Sequence, residues 1–300
     1  MTPDPTILNA KAASPTLPFA ATRPFTTLPL KAESETEVLD FLKGPSVHNI
    51  VMSGLIRDNG IESELNRGCF YGCCNYAGSL EGVALIGHGM FIQARSKAAI
   101  SEFARVAQNF RNVHMIMTAP KTFEQFRKFY SFGGQPPRRL CREIEFALSH
   151  SPANLEPVST LRLATMKDLP KVLPVHAAMA YEESGINPLE ADPKGFRTRC
   201  RRRIEQRRVW VSIESGELIF KADIIADTPD AIYLEGIYVR PEARRQGYGS
   251  RCIADLSRRF LRRTKSISVL VNQERHAAQE FFQTIGFISS GLYDTIFLQT

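Results

Sequence analysis

Residues 233–263 read YLEGIYVRPEARRQGYGSRCIADLSRRFLRR, and the fold follows from their punctuation. Residues 231–234 together with Ile237, Tyr238 and Val239 are rich in β-branched and aromatic side chains, the pattern of a buried strand, which Pro241 closes. A polar turn, Arg244-Arg245-Gln246-Gly247-Tyr248-Gly249-Ser250, leads into a helical period that sets Cys252, Ile253, Leu256, Phe260 and Leu261 on one face. Strand, glycine turn and helix together make an anion-binding arrangement. Gly247 and Gly249 admit backbone conformations and close approaches that a side chain forbids, so the free N–H groups of the first helical turn can converge on one anion. The positive end of the helix dipole and the guanidinium groups of Arg244 and Arg245 suit a pyrophosphate there. The stretch has neither the Lys-Ser/Thr ending of a P-loop nor the spacing G-x-G-x-x-G.

The form Arg-x-x-Gly-x-Gly, following a strand that ends Val239-Arg240-Pro241-Glu242, resembles the GCN5-related N-acetyltransferase superfamily, whose signature Q/R-x-x-G-x-G/A cradles the pyrophosphate of acetyl-CoA. The context is similar as well. Ser268 to Val271 read as the next parallel strand, Asn272 follows, and residues 277–285 form a helix ended by Gly286-Phe287. Upstream, residues 161–165 and Asp168-Leu169-Pro170 resemble the family's opening strand and first helix, with Thr165 as N-cap. The resemblance covers residues 159–300. It implies acetyl-CoA as cosubstrate, held by Ile237, Tyr238, Val239, Arg244, Arg245, Gln246, Gly247, Tyr248, Gly249, Ser250, Asn272 and Phe282.

The remaining chain fits that frame. Three hundred residues suffice for two such domains, each able to bury its own core. No apolar run is long enough for a membrane span, and no secretory h-region opens the chain. The six cysteines sit mostly inside periodic segments, which predicts reduced thiols and a cytoplasmic protein. Cys69, Cys73 and Cys74 lack a second ligand pair or a histidine at ligand spacing, so they read as buried strand thiols and no metal is expected. The formal net charge of +7 favours an anionic ligand such as coenzyme A. Residues 1–32, rich in Pro, Ala and Thr, read as a disordered or extended arm.

Residues 33–148 repeat the order of residues 159–300. The strand MIMT followed by EQFRKFYSFG parallels VLVN followed by AQEFFQTIGF, and RRLCREIEFAL parallels SGLYDTIFL. The expected fold is therefore α/β and tandem: two acetyltransferase-like folds joined by a linker at 149–158, each with a mixed central sheet flanked by helices. Central parallel strands should splay in the C-terminal one. The N-terminal copy departs where it matters, since Ala94-Arg95-Ser96-Lys97-Ala98-Ala99 has no glycine pair. It should not hold coenzyme A in the usual way, and reads as a scaffold that covers an edge or shapes the substrate cleft.

As an N-acetyltransferase the chain would pass an acetyl group directly to a primary amine on a small molecule, peptide or protein. The resemblance implies a backbone N–H near Ile237 to Val239 as oxyanion donor and a strand carboxylate, Glu235, as base. Where the family often has a tyrosine acid, this chain has Phe282, so Tyr293 is the candidate donor to the leaving thiolate, unless water serves or the thiolate leaves unprotonated. Arg275 stands where the family often has asparagine. The alternative is a non-catalytic acyl-CoA-binding regulatory module. Residues 197–208 carry seven arginines, read as a solvated face, with nucleic-acid attraction as a weaker alternative. A homodimer paired through exposed sheet edges is also compatible.

Overall fold

The alternation of apolar runs and amphipathic periods becomes one twelve-stranded mixed sheet with helices on its faces. The structure, a computed structural model, describes residues 25–299. The N-terminal half runs β1 (Phe25–Pro29), α1 (Glu35–Phe41), α2 (Val47–Asn59), β2 (Gly68–Asn75), β3 (Leu80–Gly87), β4 (Gly89–Ala94), α3 (Lys97–Ala107), β5 (Met115–Thr118), α4 (Pro120–Tyr130) and β6 (Pro137–Leu148). The C-terminal half repeats the order with β7 (Leu161–Leu163), α5 (Leu169–Ser184), α6 (Pro188–Ala191), α7 (Pro193–Glu205), β8 (Val209–Glu214), β9 (Glu217–Asp227), β10 (Ala231–Val239), α8 (Tyr248–Phe260), β11 (Ser266–Asn272), α9 (His276–Ile285) and β12 (Ile288–Leu298). The fold is thus the tandem α/β arrangement expected.

Two differences from the sequence reading stand out. Part of the expected arm is structured: Phe25–Pro29 pairs antiparallel with β2 as an edge strand, while residues 1–24 lie outside the described residues. The sheet also does not respect the boundary between the halves. Its order is β1-β2-β3-β4-β5-β12-β6-β11-β10-β9-β8-β7, so each half's last strand lies against the other half's penultimate strand. β6 pairs with β11 and β12, and β12 pairs with β5. Hydrophobic alternation specifies a strand but not its neighbour, which is why the exchange is not readable from pattern alone.

The helices pack according to their apolar faces. Cys252, Ile253, Leu256 and Phe260 of α8 bury against β10, β11 and β6, and α2 packs Ile50, Met52 and Ile56 into a core shared with Ala226 of β9 and Tyr233 of β10. Thr165 closes a capping box with Asp168, whose carboxylate receives the Thr165 N–H at 2.7 Å. The arginines of residues 197–208 are largely engaged. Arg199 pairs with Asp192, Arg201 with Glu205, Arg203 with Asp223 and Arg208 with Asp58, and Arg202 donates to Asn59 at 2.8 Å. Arg202 and Arg208 therefore tie the C-terminal half to α2. In β2, Cys73 is buried and Cys69 and Cys74 are half-buried.

Candidate functional site

β10 and β11 run parallel only from Ala231↔Ser266 to Leu234↔Val269 and then part. The cause is local: Gly236 takes φ +59°, and the register of β10 against β9 jumps from Glu235↔Asp223 to Tyr238↔Lys221. Such a bulge inserts an extra residue and bends its strand. The gap opens a groove of about 1160 Å³, walled by Ile237, Tyr238 and Val239, by the turn after β10, and by Phe281 and Phe282 of α9.

The turn does what its glycines require. Gly247 sits at φ +71° as the N-cap of α8, and nothing lies within 4 Å of where a Cβ would stand. Gly249 serves close packing instead. A Cβ there would come within 2.9 Å of Val239 Cγ2 and 3.2 Å of the Phe281 ring, so glycine lets α8 close on β10 and α9. The Arg251 N–H returns to the Gly247 carbonyl at 3.0 Å. The N–H groups of Tyr248, Gly249 and Ser250 precede that first helical bond and are open to an acceptor. Arg244 donates to the Val239 carbonyl at 2.9 Å, and Arg244 and Arg245 both line the groove. An uncapped helix N-terminus, an open glycine and two guanidinium groups fit a pyrophosphate.

Behind the groove, across Ile237, Met179 and Phe282, lies a smaller cavity of about 260 Å³. Asp223, Arg203 and Arg275 line it, and four glutamates do so from three elements: Glu182 and Glu183 of α5, Glu235 of β10 and Glu143 of β6. The last comes from the N-terminal half through the strand exchange, as do Met117, Arg139 and Cys141. Glu235 lies deep in the protein but keeps an exposed side chain where it opens onto this cavity, and its Oε1 accepts from the Tyr233 hydroxyl at 2.6 Å. Burial raises the Glu235 carboxyl above the usual range against that hydrogen bond. Burial, with Glu235 adding repulsion, also pushes Glu143 up to about 7, although Thr295 donates to it. Glu183 rises to about 8 through burial and the neighbouring Glu235 and Glu143 charges. Carboxyls held near neutrality beside a groove are groups able to accept a proton from an amine.

The other sequence-assigned residues divide. Ile237, Tyr238, Val239, Arg244, Arg245, Gly247, Gly249 and Ser250 line the groove together. Tyr248 lines it too, but its hydroxyl donates to Glu214 at 2.7 Å and lies 2.6 Å from Ser212 Oγ, anchoring the turn to β8. Gln246 turns back, its amide donating to the Glu242 carbonyl at 2.8 Å. Asn272 faces the acid-lined cavity, and its Oδ1 accepts the Glu274 N–H at 2.8 Å, a turn that launches α9. Phe282 forms the shared wall and packs with Phe146 and Phe287. Arg275 pairs with Glu182 at the mouth of both spaces.

Tyr293 is not brought to either space, which corrects its assignment as thiolate donor. β12 carries it into the core packed by α1 and α2, where its hydroxyl meets His48 Nδ1 at 3.0 Å and burial raises its pKa. Sequence reasoning also missed Glu143 and Glu183. Glu143 joins the site only because β6 crosses between the halves, and Glu183 reads as a loop residue although α5 runs on to Ser184.

A family model described as FR47-like protein matches residues 215–295, which span β9 to β12 and contain the glycine turn. No curated protein matches the chain. Among solved structures, a Drosophila protein at 14% identity covers 91% of this chain and 98% of its own, with a TM-score of 0.66. A GCN5-related N-acetyltransferase from Sphaerobacter thermophilus, at 12% identity, covers 94% of this chain and 96% of its own with a TM-score of 0.57. A tandem protein of the same family from the clavulanic acid biosynthesis pathway, at 13% identity, covers 90% and 98% with a TM-score of 0.56. These likenesses extend across both halves, so the tandem architecture is matched, and the chain has the fold of the GCN5-related N-acetyltransferases, its residues 215–295 with the glycine turn being similar to the FR47-like model.

Proposed function

We propose that the protein is an acetyl-CoA-dependent N-acetyltransferase whose acceptor is a primary amine entering through the acid-lined cavity. The observation that carries this reading is the junction of the two spaces: the groove over the glycine turn meets the cavity at Ile237, inside the bulge between Glu235 and Tyr238. Bound acetyl-CoA would supply an acetyl thioester as the electrophile. The α8 N-terminus with Arg244 and Arg245 would hold its pyrophosphate, and Val239, Phe281 and Phe282 would flank the pantetheine arm. An ammonium suits a space lined by Glu143, Glu183 and Glu235; Glu235 would take one proton as attack begins, and the second nitrogen proton would pass to water as the tetrahedral intermediate collapses. The Ile237 N–H meets negative charge as it develops on the carbonyl oxygen. Phe282 has no proton to give, so the thiolate departs unprotonated or takes one from water, which a thiol's modest basicity permits.

The test is turnover, followed by thiol release, against a panel of primary amines with wild type and Glu235→Gln, alongside calorimetric titration with acetyl-CoA. The variant should lose about 10²-fold or more in kcat while binding acetyl-CoA as wild type does. A wild type that binds acetyl-CoA and turns over no amine would instead favour a non-catalytic acyl-CoA-binding module.

A further inference from the structure

The geometry points to Lys221 as a positioning residue that locks and polarises the Gly236–Ile237 peptide, the unit that carries the oxyanion donor; this rests on the acetyl-transfer reading above. Lys221 is wholly buried in the middle of β9, an unusual place for a lysine. Its ammonium has two partners: the Asp223 carboxylate at 2.9 Å and the Gly236 carbonyl at 3.1 Å. Asp223 is itself buried and is held by Arg203 at 3.1 Å, with His176 at 3.6 Å. Burial alone would raise the Asp223 carboxyl, but Lys221 and Arg203 outweigh it and hold it low. Lys221 is thus a fixed cation clamped between a carboxylate and one backbone carbonyl.

That carbonyl belongs to the bulge. A trans peptide carries its N–H opposite its C=O. Gly236 O faces Lys221 on β9, so the Ile237 N–H faces the other way, into the gap where β11 has left β10. Gly236 and Ile237 both line the acid-lined cavity, and Ile237 also lines the groove. A donor on the carbonyl side has two effects on the N–H across the peptide. It fixes the plane, removing reorganisation when charge appears, and it draws electron density toward the carbonyl, which strengthens the N–H as a donor. The fit is close: a Cβ at Gly236 would lie 2.7 Å from Lys221 Nζ. Lys221 lines neither space itself, so it acts through the peptide.

The test uses the full chain with acetonyl-CoA, a non-transferable ketone analogue, whose bound carbonyl stretch is read by infrared difference spectroscopy. In wild type the band should fall below its frequency in water. In Lys221→Met, which keeps an unbranched side chain one atom shorter and leaves Asp223 to Arg203, it should move back toward the water value. With a competent amine, kcat should fall by about tenfold, less than the loss from removing a donor outright, while KM for acetyl-CoA stays within about twofold. Should the lone Asp223 prevent folding, Lys221→Met/Asp223→Asn is read in the same way, and failing both, a wild-type band equal to that in water overturns the proposal. A band identical in wild type and variant overturns it while leaving the transferase reading intact. A wild type that does not bind the analogue removes both.

Discussion

Gly247 and Gly216 offer a matched pair for testing whether the turn after β10 is a ligand site or only a turn. Both have positive φ, +71° and +82°, and at neither does an added Cβ meet an atom within 4 Å. An alanine at either position therefore meets no clash and bears only the left-handed backbone penalty, about 1–2 kcal/mol. For a chain of this size that corresponds to a fall of roughly 2–4 °C in Tm, the same for both variants. Their surroundings differ. Gly216 lies in the hairpin between β8 and β9, whereas the space beside Gly247 is the groove itself. A methyl group there stands between an incoming anion and the N–H groups that precede the first bond of α8. Loss of one charge-assisted hydrogen bond is worth about 1.5–3 kcal/mol, or roughly 10- to 150-fold in Kd. Calorimetric titration with acetyl-CoA, paired with scanning calorimetry, reads both quantities on each variant. Equal affinity in Gly247→Ala and Gly216→Ala, at equal Tm, would refute the assignment of the turn as the pyrophosphate site.

Two further outcomes follow from buried groups. Gly236→Ala sets a Cβ 2.7 Å from Lys221 Nζ at a residue with φ +59°, so it should destabilise by about 1–3 kcal/mol; a Tm within a degree of wild type would mean that the clamp is loose. Glu145, buried between β11 and β12, has its carboxyl pushed up to about 7 by burial. A folded pKa above the unfolded one gives stability that is present below about 4.5 and lost as pH rises through about 7, up to about 3 kcal/mol. Glu145→Gln should therefore show a smaller fall in Tm between pH 5 and pH 8 than wild type, and an unchanged fall would contradict the burial argument.

The parts of the molecule legible in the sequence are those set by local rules. The run into Val239, the break at Pro241, the spacing of Gly247 and Gly249 and the period of α8 are each fixed by neighbours a few residues away, and the structure places them as read. What escapes reading depends on partners distant in the chain. Lys221 alternates with apolar residues in β9 and reads as a solvent-facing position; it is buried with Asp223, whose carboxylate pairs both with it and with Arg203 of α7. Tyr293 reads as a C-terminal residue and stands in a core built from α1 and α2, because β12 pairs with β5. Glu143 reads as a polar position on an ordinary final strand, yet β6 delivers it opposite Glu235. In each case the pattern gives the element, and the sheet order decides what the side chain meets.

The strand exchange also brings residues of both copies of the fold to one cavity. In the N-terminal half, α3 begins where α8 begins in the other, but its N-cap is Ser96, whose Oγ accepts the Ala99 N–H at 3.3 Å. A side-chain oxygen thus occupies the helix N-terminus that Gly247 leaves open in α8. Where Glu235 meets open space on β10, Gln93 on β4 is already bonded, its Oε1 2.7 Å from His48 Nε2, and the other ring nitrogen of His48 reaches Tyr293. The N-terminal copy has closed its helix end with serine and filled its splay with a histidine network. It contributes instead through β6, which lies against β11 and supplies Arg139, Cys141 and Glu143 to the wall of the acid-lined cavity. One half carries the glycine turn and its groove, the other lines the neighbouring cavity through β6, and the pairing of β6 with β11 holds these two contributions in register.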